Sequence, residues 1–160
     1  MLAYRYLSCE INFLMKHLLC IFCMLPLVLF CQSKNLDAQQ LALNGYDAVS
    51  YFSAVQPTQG KATISVEWEG AIYHFSSEAN KTLFKENPTA YLPQYGGWCA
   101  FAMAKGKTVE VNPKAYIIQD NKLYLFYKTR WVDTQKKWQE NPQEFRDRAD
   151  INWVKFRGRK

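Results

Sequence analysis

Polar and apolar residues alternate along two stretches of this chain. Thr63-Ile64-Ser65-Val66-Glu67-Trp68 and Ala71-Ile72-Tyr73-His74-Phe75 flank Glu69-Gly70. A two-residue connection ending in glycine between period-2 segments predicts a β-hairpin. Its register would set Val66 opposite Tyr73 and Ile64 opposite Phe75 on one face. Ser65, Glu67, Ile72 and His74 would share the other face, with His74 opposite Ser65. Ala115–Gln119 and Lys122–Tyr127 form a second hairpin pattern around Asp120-Asn121. Shorter strands are expected over Ala48–Phe52, after the turn Gly45-Tyr46-Asp47, and over Val109–Val111.

Between and after the hairpins the period changes to that of a helix. Ser76 and Ser77 are cap residues for a helix running through Glu86, with Leu83 and Phe84 on its apolar face. Asn87-Pro88 and Asn141-Pro142 repeat one start signal, asparagine followed by proline at the first helical position. Cys99–Ala104 reads as a short helix stopped by Gly106, after a tight turn at Tyr95-Gly96-Gly97-Trp98. Residues 130–140 read as an amphipathic helix with Trp131 and Trp138 on one face. A last helix carries Phe145, Ala149 and Trp153. The order predicts an α+β domain: a small antiparallel sheet of hairpins covered by short helices, with a helical C-terminus.

The front of the chain follows another logic. Leu18–Phe30 (LLCIFCMLPLVLF) is an uncharged apolar run, preceded by Lys16-His17 and followed by Gln32-Ser33-Lys34. That order describes a secretory signal peptide over residues 1–33. The run is short of the ~20 residues that a spanning helix needs. Met15-Lys16 is a natural start, which would make residues 1–14 a mis-called extension. Val28-Leu29-Phe30-Cys31 resembles a lipobox, so a lipid anchor at Cys31 competes with free secretion. Residues 34–44 are polar and read as a linker, residues 45–156 as the domain, and residues 157–160 as a basic tail. The protein is therefore expected in the periplasm or cell envelope.

Composition narrows the picture. Of 160 residues, 49% are hydrophobic and 21% charged, which suits a folded domain and excludes a disordered chain. From Lys34 to Tyr127 eight basic residues balance eight acidic ones. From Lys128 onward ten face five. A basic C-terminal segment can meet anionic lipid or line a solvated helix face. Nucleic acid is not an expected partner, because no recognisable binding module is present. Of five cysteines, only Cys99 lies beyond residues 1–33, so no internal disulfide framework is available there.

These residues resemble a known family. Gly45-Tyr46-Asp47-Ala48-Val49-Ser50-Tyr51-Phe52 is similar to the opening of exported, stand-alone bacterial YHS-domain proteins. Glu69–Asn80 (EGAIYHFSSEAN) resembles the core of the YHS motif, continued by Phe84, Asn87-Pro88 and Tyr91. Tyr95–Ala102 and Ala149–Trp153 resemble the extension of the signal-bearing members. The likeness covers residues 42–156. It implies an α+β fold and an association with metal handling, since YHS domains occur beside metal-transporting ATPases and in some oxygenases. Many members carry cysteines near the first strand and after the Tyr-x-Phe strand. This chain has none at either place, in 47–50 or 76–80, so a four-cysteine zinc site is not available.

Candidate chemistry therefore gathers on Cys99, His74 and Asp47. A thiolate, an imidazole and a carboxylate suit copper or zinc. Cys99 follows two glycines and opens a helix, where N–H groups favour a thiolate. Thiol chemistry with His74 as base is the enzymatic version, but no hydrolase signature accompanies it and an enzyme is not expected. The leading expectation is an exported protein that binds a transition metal, copper or zinc. The alternative is a non-catalytic module that binds a ligand or an envelope protein. The aromatics Tyr46, Tyr51, Phe52, Trp68, Tyr95 and Trp98 gather at the loops, where such residues can form a binding surface although most are expected to build the core.

Overall fold

The computed structural model describes residues 34–158. The signal peptide, Cys31 and the last two residues of the basic tail lie outside them. The first hairpin pairs β1 (Lys61–Trp68) with β2 (Ala71–Phe75). Its turn places Glu69 and Gly70 both at positive φ, the conformation whose twist matches paired strands. Val66 faces Tyr73 and Ser65 faces His74, as the alternation predicts. Ile64 does not face Phe75. A bulge before Ser65 shifts the ladder, and Phe75 pairs with Lys61 instead. Gly60, beside the bulge, lets the chain pass close to β2: a Cβ there would lie 2.4 Å from the His74 carbonyl carbon.

The inward residues Ala71, Tyr73 and Phe75 are buried. Helix α2 (Glu78–Glu86) covers them, with the Phe84 ring centroid 4.9 Å from Tyr73 and 5.1 Å from Phe75. Ser77 caps α2, its hydroxyl accepting the Asn80 N–H. Helix α3 (Pro88–Tyr91) follows, with proline at its first turn. Helix α1 (Ser50–Ser53) precedes β1.

The second hairpin pairs β3 (Asn112–Gln119) with β4 (Lys122–Phe126) around a turn in which Asp120 and Asn121 both take positive φ. Strand β4 is buried on both faces. Leu123 and Leu125 join the core under β2 and α2. Tyr124 and Phe126 join a second core with Trp138, Met103 and Ala149. That second core is closed by α4 (Ala100–Ala104), α5 (Thr134–Glu140) and α6 (Pro142–Arg157). The architecture is α+β, with two two-stranded antiparallel sheets rather than one among the described residues.

Four local expectations change. Residues 34–44 are not a free linker. Leu41 bridges Ile72 in parallel, the Ile72 N–H donates to the Gln40 carbonyl, and Ala42 and Leu43 are buried. Their backbone groups find partners on the open edge of β2. Ala48–Phe52 is not a strand, because the Asp47 carboxylate accepts the N–H groups of Val49 and Ser50 and starts α1. Val109–Val111 joins no ladder, although the Val109 carbonyl accepts the Cys99 N–H. Helix α5 begins at Thr134, not at 130, because Asp133 caps it by accepting the Lys136 N–H. Trp131 therefore lies outside the helix, while Trp138 is fully buried within it.

Asp133 also sets a pH dependence. Its hydrogen bond with the Lys128 ammonium, 2.7 Å away, holds the carboxyl below the usual aspartate range. A depressed pKa stabilises the fold above the unfolded value near pH ~4, and that contribution fades as pH falls through the lower folded value. A carboxyl-detected NMR titration should give Asp133 a midpoint below 3.8. Lys128→Met should move it upward, and an unchanged midpoint would contradict the pairing.

Candidate functional site

Asp47 is fully buried, and each carboxylate oxygen is taken. Oδ1 accepts from the backbone of Val49 at 2.9 Å and of Ser50 at 3.3 Å. Oδ2 accepts from the Ser76 N–H at 2.8 Å, the Ser76 hydroxyl at 2.6 Å and the Asn80 amide at 2.7 Å. One carboxylate thus fastens the start of α1 to the end of β2 and to α2. Hydrogen bonds to an ionised acceptor are the stronger class, and burial raises the cost of losing them. A metal at Asp47 would have to displace these donors.

His74 is half-buried on β2, with Gly60 against its backbone and Gly45 near its ring. Cys99 is fully buried, and its sulfur lies 3.4 Å from the Thr134 hydroxyl. That hydroxyl donates to the Tyr127 carbonyl at 2.7 Å. Among the described residues, no group of three or more His, Cys, Asp or Glu side chains is placed to hold a metal ion. The structure does not bring Cys99, His74 and Asp47 together as one such group.

The six aromatics proposed as a ligand surface are largely interior. Tyr51 and Tyr95 are buried. Tyr46, Phe52 and Trp68 pack against the first core, and Trp98 against the second. The Tyr51 hydroxyl donates to the Pro113 carbonyl at 2.9 Å, tying α1 to β3.

What the structure does assemble is a cleft of about 140 Å³. Leu43, Tyr73, Tyr95, Gly97 and Trp153 line it, and Lys34 and Glu69 line it as an ion pair. Two backbone turns meet there. Leu43, Asn44 and Gly45 have φ of 57°, 51° and 78°, and Tyr95, Gly96 and Gly97 have φ of 56°, 62° and 87°. The left-handed region costs an ordinary side chain about 1 kcal/mol or more. Leucine and tyrosine are held there by their surroundings. The Tyr95 hydroxyl donates to Asp150 at 2.9 Å, and the Asn35 N–H donates to the Gly96 carbonyl at 2.9 Å. Burial first, then the Asp150 hydrogen bond, pushes the Tyr95 phenol far above its ordinary range. Burial does the same to Tyr73. Both walls therefore present neutral phenols.

The sequence places turns at Tyr95–Gly97 and at Gly45–Asp47, whereas the left-handed stretch of the second begins two residues earlier, at Leu43. Asn44-Gly45 carries a left-handed turn signal and marks the second one. Lys34 and Trp153 have no local signal, because only folding brings the two ends of the described chain to the same cleft.

The Asp47 network makes a specific prediction. Asp47→Ala should destabilise the fold by about 3 kcal/mol in urea unfolding, because it strands several buried donors. Asp47→Asn should cost nearly as much, since every partner is a donor and the new amide nitrogen cannot accept. Compared with protein-family models, with curated proteins and with solved structures, the chain has no significant match.

Proposed function

We propose that this chain is a YHS-type domain of the cell envelope that acts as a non-catalytic binding module, with the cleft between the two left-handed turns as its binding site. The observation that carries this reading is the convergence of two strained turns on one cleft. Strain held by the surrounding structure concentrates at binding sites, where it preorganises backbone groups. Size narrows the occupant. Small-molecule sites usually enclose ~300 Å³ or more, so about 140 Å³ suits a single inserted side chain or a comparably small group. Tyrosine, tryptophan and backbone walls favour a partly apolar anchor with a polar tip. The family resemblance and the apolar run Leu18–Phe30 support an exported setting.

The test uses the isotope-labelled full chain. Short capped peptides that differ in one central side chain are titrated in and followed by NMR. Saturable shifts at Leu43, Tyr95–Gly97 and Trp153 are expected for a subset of them. Gln94→Trp, which fills the cleft from its wall, should weaken binding about tenfold or more. Shifts confined to other surfaces would sink the reading. Copper(I) and zinc are titrated in parallel against the same chain and Cys99→Ala. Stoichiometric binding that disappears in Cys99→Ala would support transition-metal handling instead.

A further inference from the structure

The turn between β4 and α5 presents a tryptophan to solvent. Trp131 is 85% exposed and Val132 beside it is exposed, whereas Trp68, Trp98, Trp138 and Trp153 are buried or half-buried. The exposure is built, because the turn is closed on itself. The Thr129 N–H donates to the Val132 carbonyl at 2.8 Å. The Thr129 hydroxyl accepts the N–H groups of Trp131 and Val132 at 3.3 and 3.2 Å. Lys128 and Asp133 close the base as a bridge and an ion pair. Thr134, one residue on, is anchored to the Tyr127 carbonyl through both its N–H and its hydroxyl. A turn whose backbone is fixed by this many bonds loses little further backbone freedom when its tip inserts into something.

The charge around the tip has one sign. Residues 128–137 carry four basic side chains and one acid, net +3. The acid, Asp133, is already paired with Lys128. Arg130, Lys136 and Lys137 are exposed. The Arg130 guanidinium sits 5.2 Å from the Trp131 ring centroid, so cation and aromatic project together.

We propose that the 128–133 turn is an interfacial anchor that inserts Trp131 and Val132 at the headgroup level of an anionic bilayer. Two apolar side chains on a turn fall far short of the ~800 Å² per partner of a standard protein interface. A bilayer surface accepts such a point insertion, because tryptophan suits its boundary and basic residues meet its phosphates. Arg130 supplies a planar donor fork for a lipid phosphate. Among the described residues no helix is long and apolar enough to cross a membrane.

The experiment uses the full chain with vesicles of phosphatidylcholine, with and without phosphatidylglycerol, carrying brominated acyl chains that quench tryptophan on contact. An apolar run such as Leu18–Phe30 can partition into lipid independently of the turn, so the readout is the quenching that depends on Trp131. Wild type should be quenched on the anionic vesicles, and Trp131→Ala should lose most of that quenching. Arg130→Glu or high salt should reduce it, and vesicles lacking phosphatidylglycerol should produce little. Equal quenching in wild type and Trp131→Ala, or none in either, would overturn the proposal and leave an acidic protein partner as the occupant of the tip. Trp131 is exposed and makes no core contact, so its loss leaves the fold intact.

Discussion

Strand β4 is the constraint on which the rest of the molecule depends. Leu123, Tyr124, Leu125 and Phe126 are successive and all fully buried. Successive strand residues point to opposite faces, so one strand supplies two cores. The leucines fill the space under β2 and α2, and the aromatics fill the space under α4, α5 and α6. Each such side chain contributes about 1.5–3 kcal/mol on burial. Neither hairpin could bury its apolar face alone, because a two-stranded ribbon is marginal in water. The wall between the cores makes the sheets and helices of the described residues one structure. It also sets the distance between the Tyr95–Gly97 turn, whose Tyr95 ring packs near Tyr124, and the β2 side of the cleft.

Asp47 does on the polar side what β4 does on the apolar side. Its carboxylate gathers donors from the α1 start, the β2 end and α2. The segments Gly45–Phe52 and Glu69–Asn80 are stitched to each other through it. Those segments therefore serve the fold directly. The cleft lies at a different place, where the backbone rather than a cluster of titratable groups is unusual. The Asp47 carboxylate is thus committed to holding elements of the fold together, whereas the cleft is marked by its two left-handed turns.

The chain also uses its aromatics in two ways. Trp138 is enclosed by Tyr124, Phe126 and Phe145, with ring centroids at 5.5, 5.6 and 6.2 Å. Trp131 has the same side chain and a helix-compatible spacing, yet it stands in solvent. The difference is a cap. Asp133 accepts the Lys136 N–H and pairs with Lys128, which stops the helix from extending back toward Trp131. A periodic pattern counts residues of one kind, whereas the cap decides which of them are in the helix.

Local chemistry made much of the fold legible. Both hairpins, the Val66–Tyr73 and Ser65–His74 pairings, the Ser77 cap and the helix starts at Pro88 and Pro142 follow from alternation, turn residues and caps. Asp47, His74 and Cys99 could be singled out by residue type, and a turn was evident at Tyr95–Gly97. The bulge that moves Phe75 to Lys61, the helical start at Ser50 and the folding of residues 34–44 onto β2 were not legible. Each depends on a partner distant in sequence: the Gly60 backbone against His74, the Asp47 carboxylate shared with Ser76 and Asn80, and the open edge at Ile72. The sequence by itself determined the two hairpins and the helices that start at Glu78, Pro88 and Pro142, because period, turn and cap are local. Only the tertiary structure decided which side chains meet at the cleft and which tryptophan faces water, because those outcomes depend on burial among residues far apart in the chain.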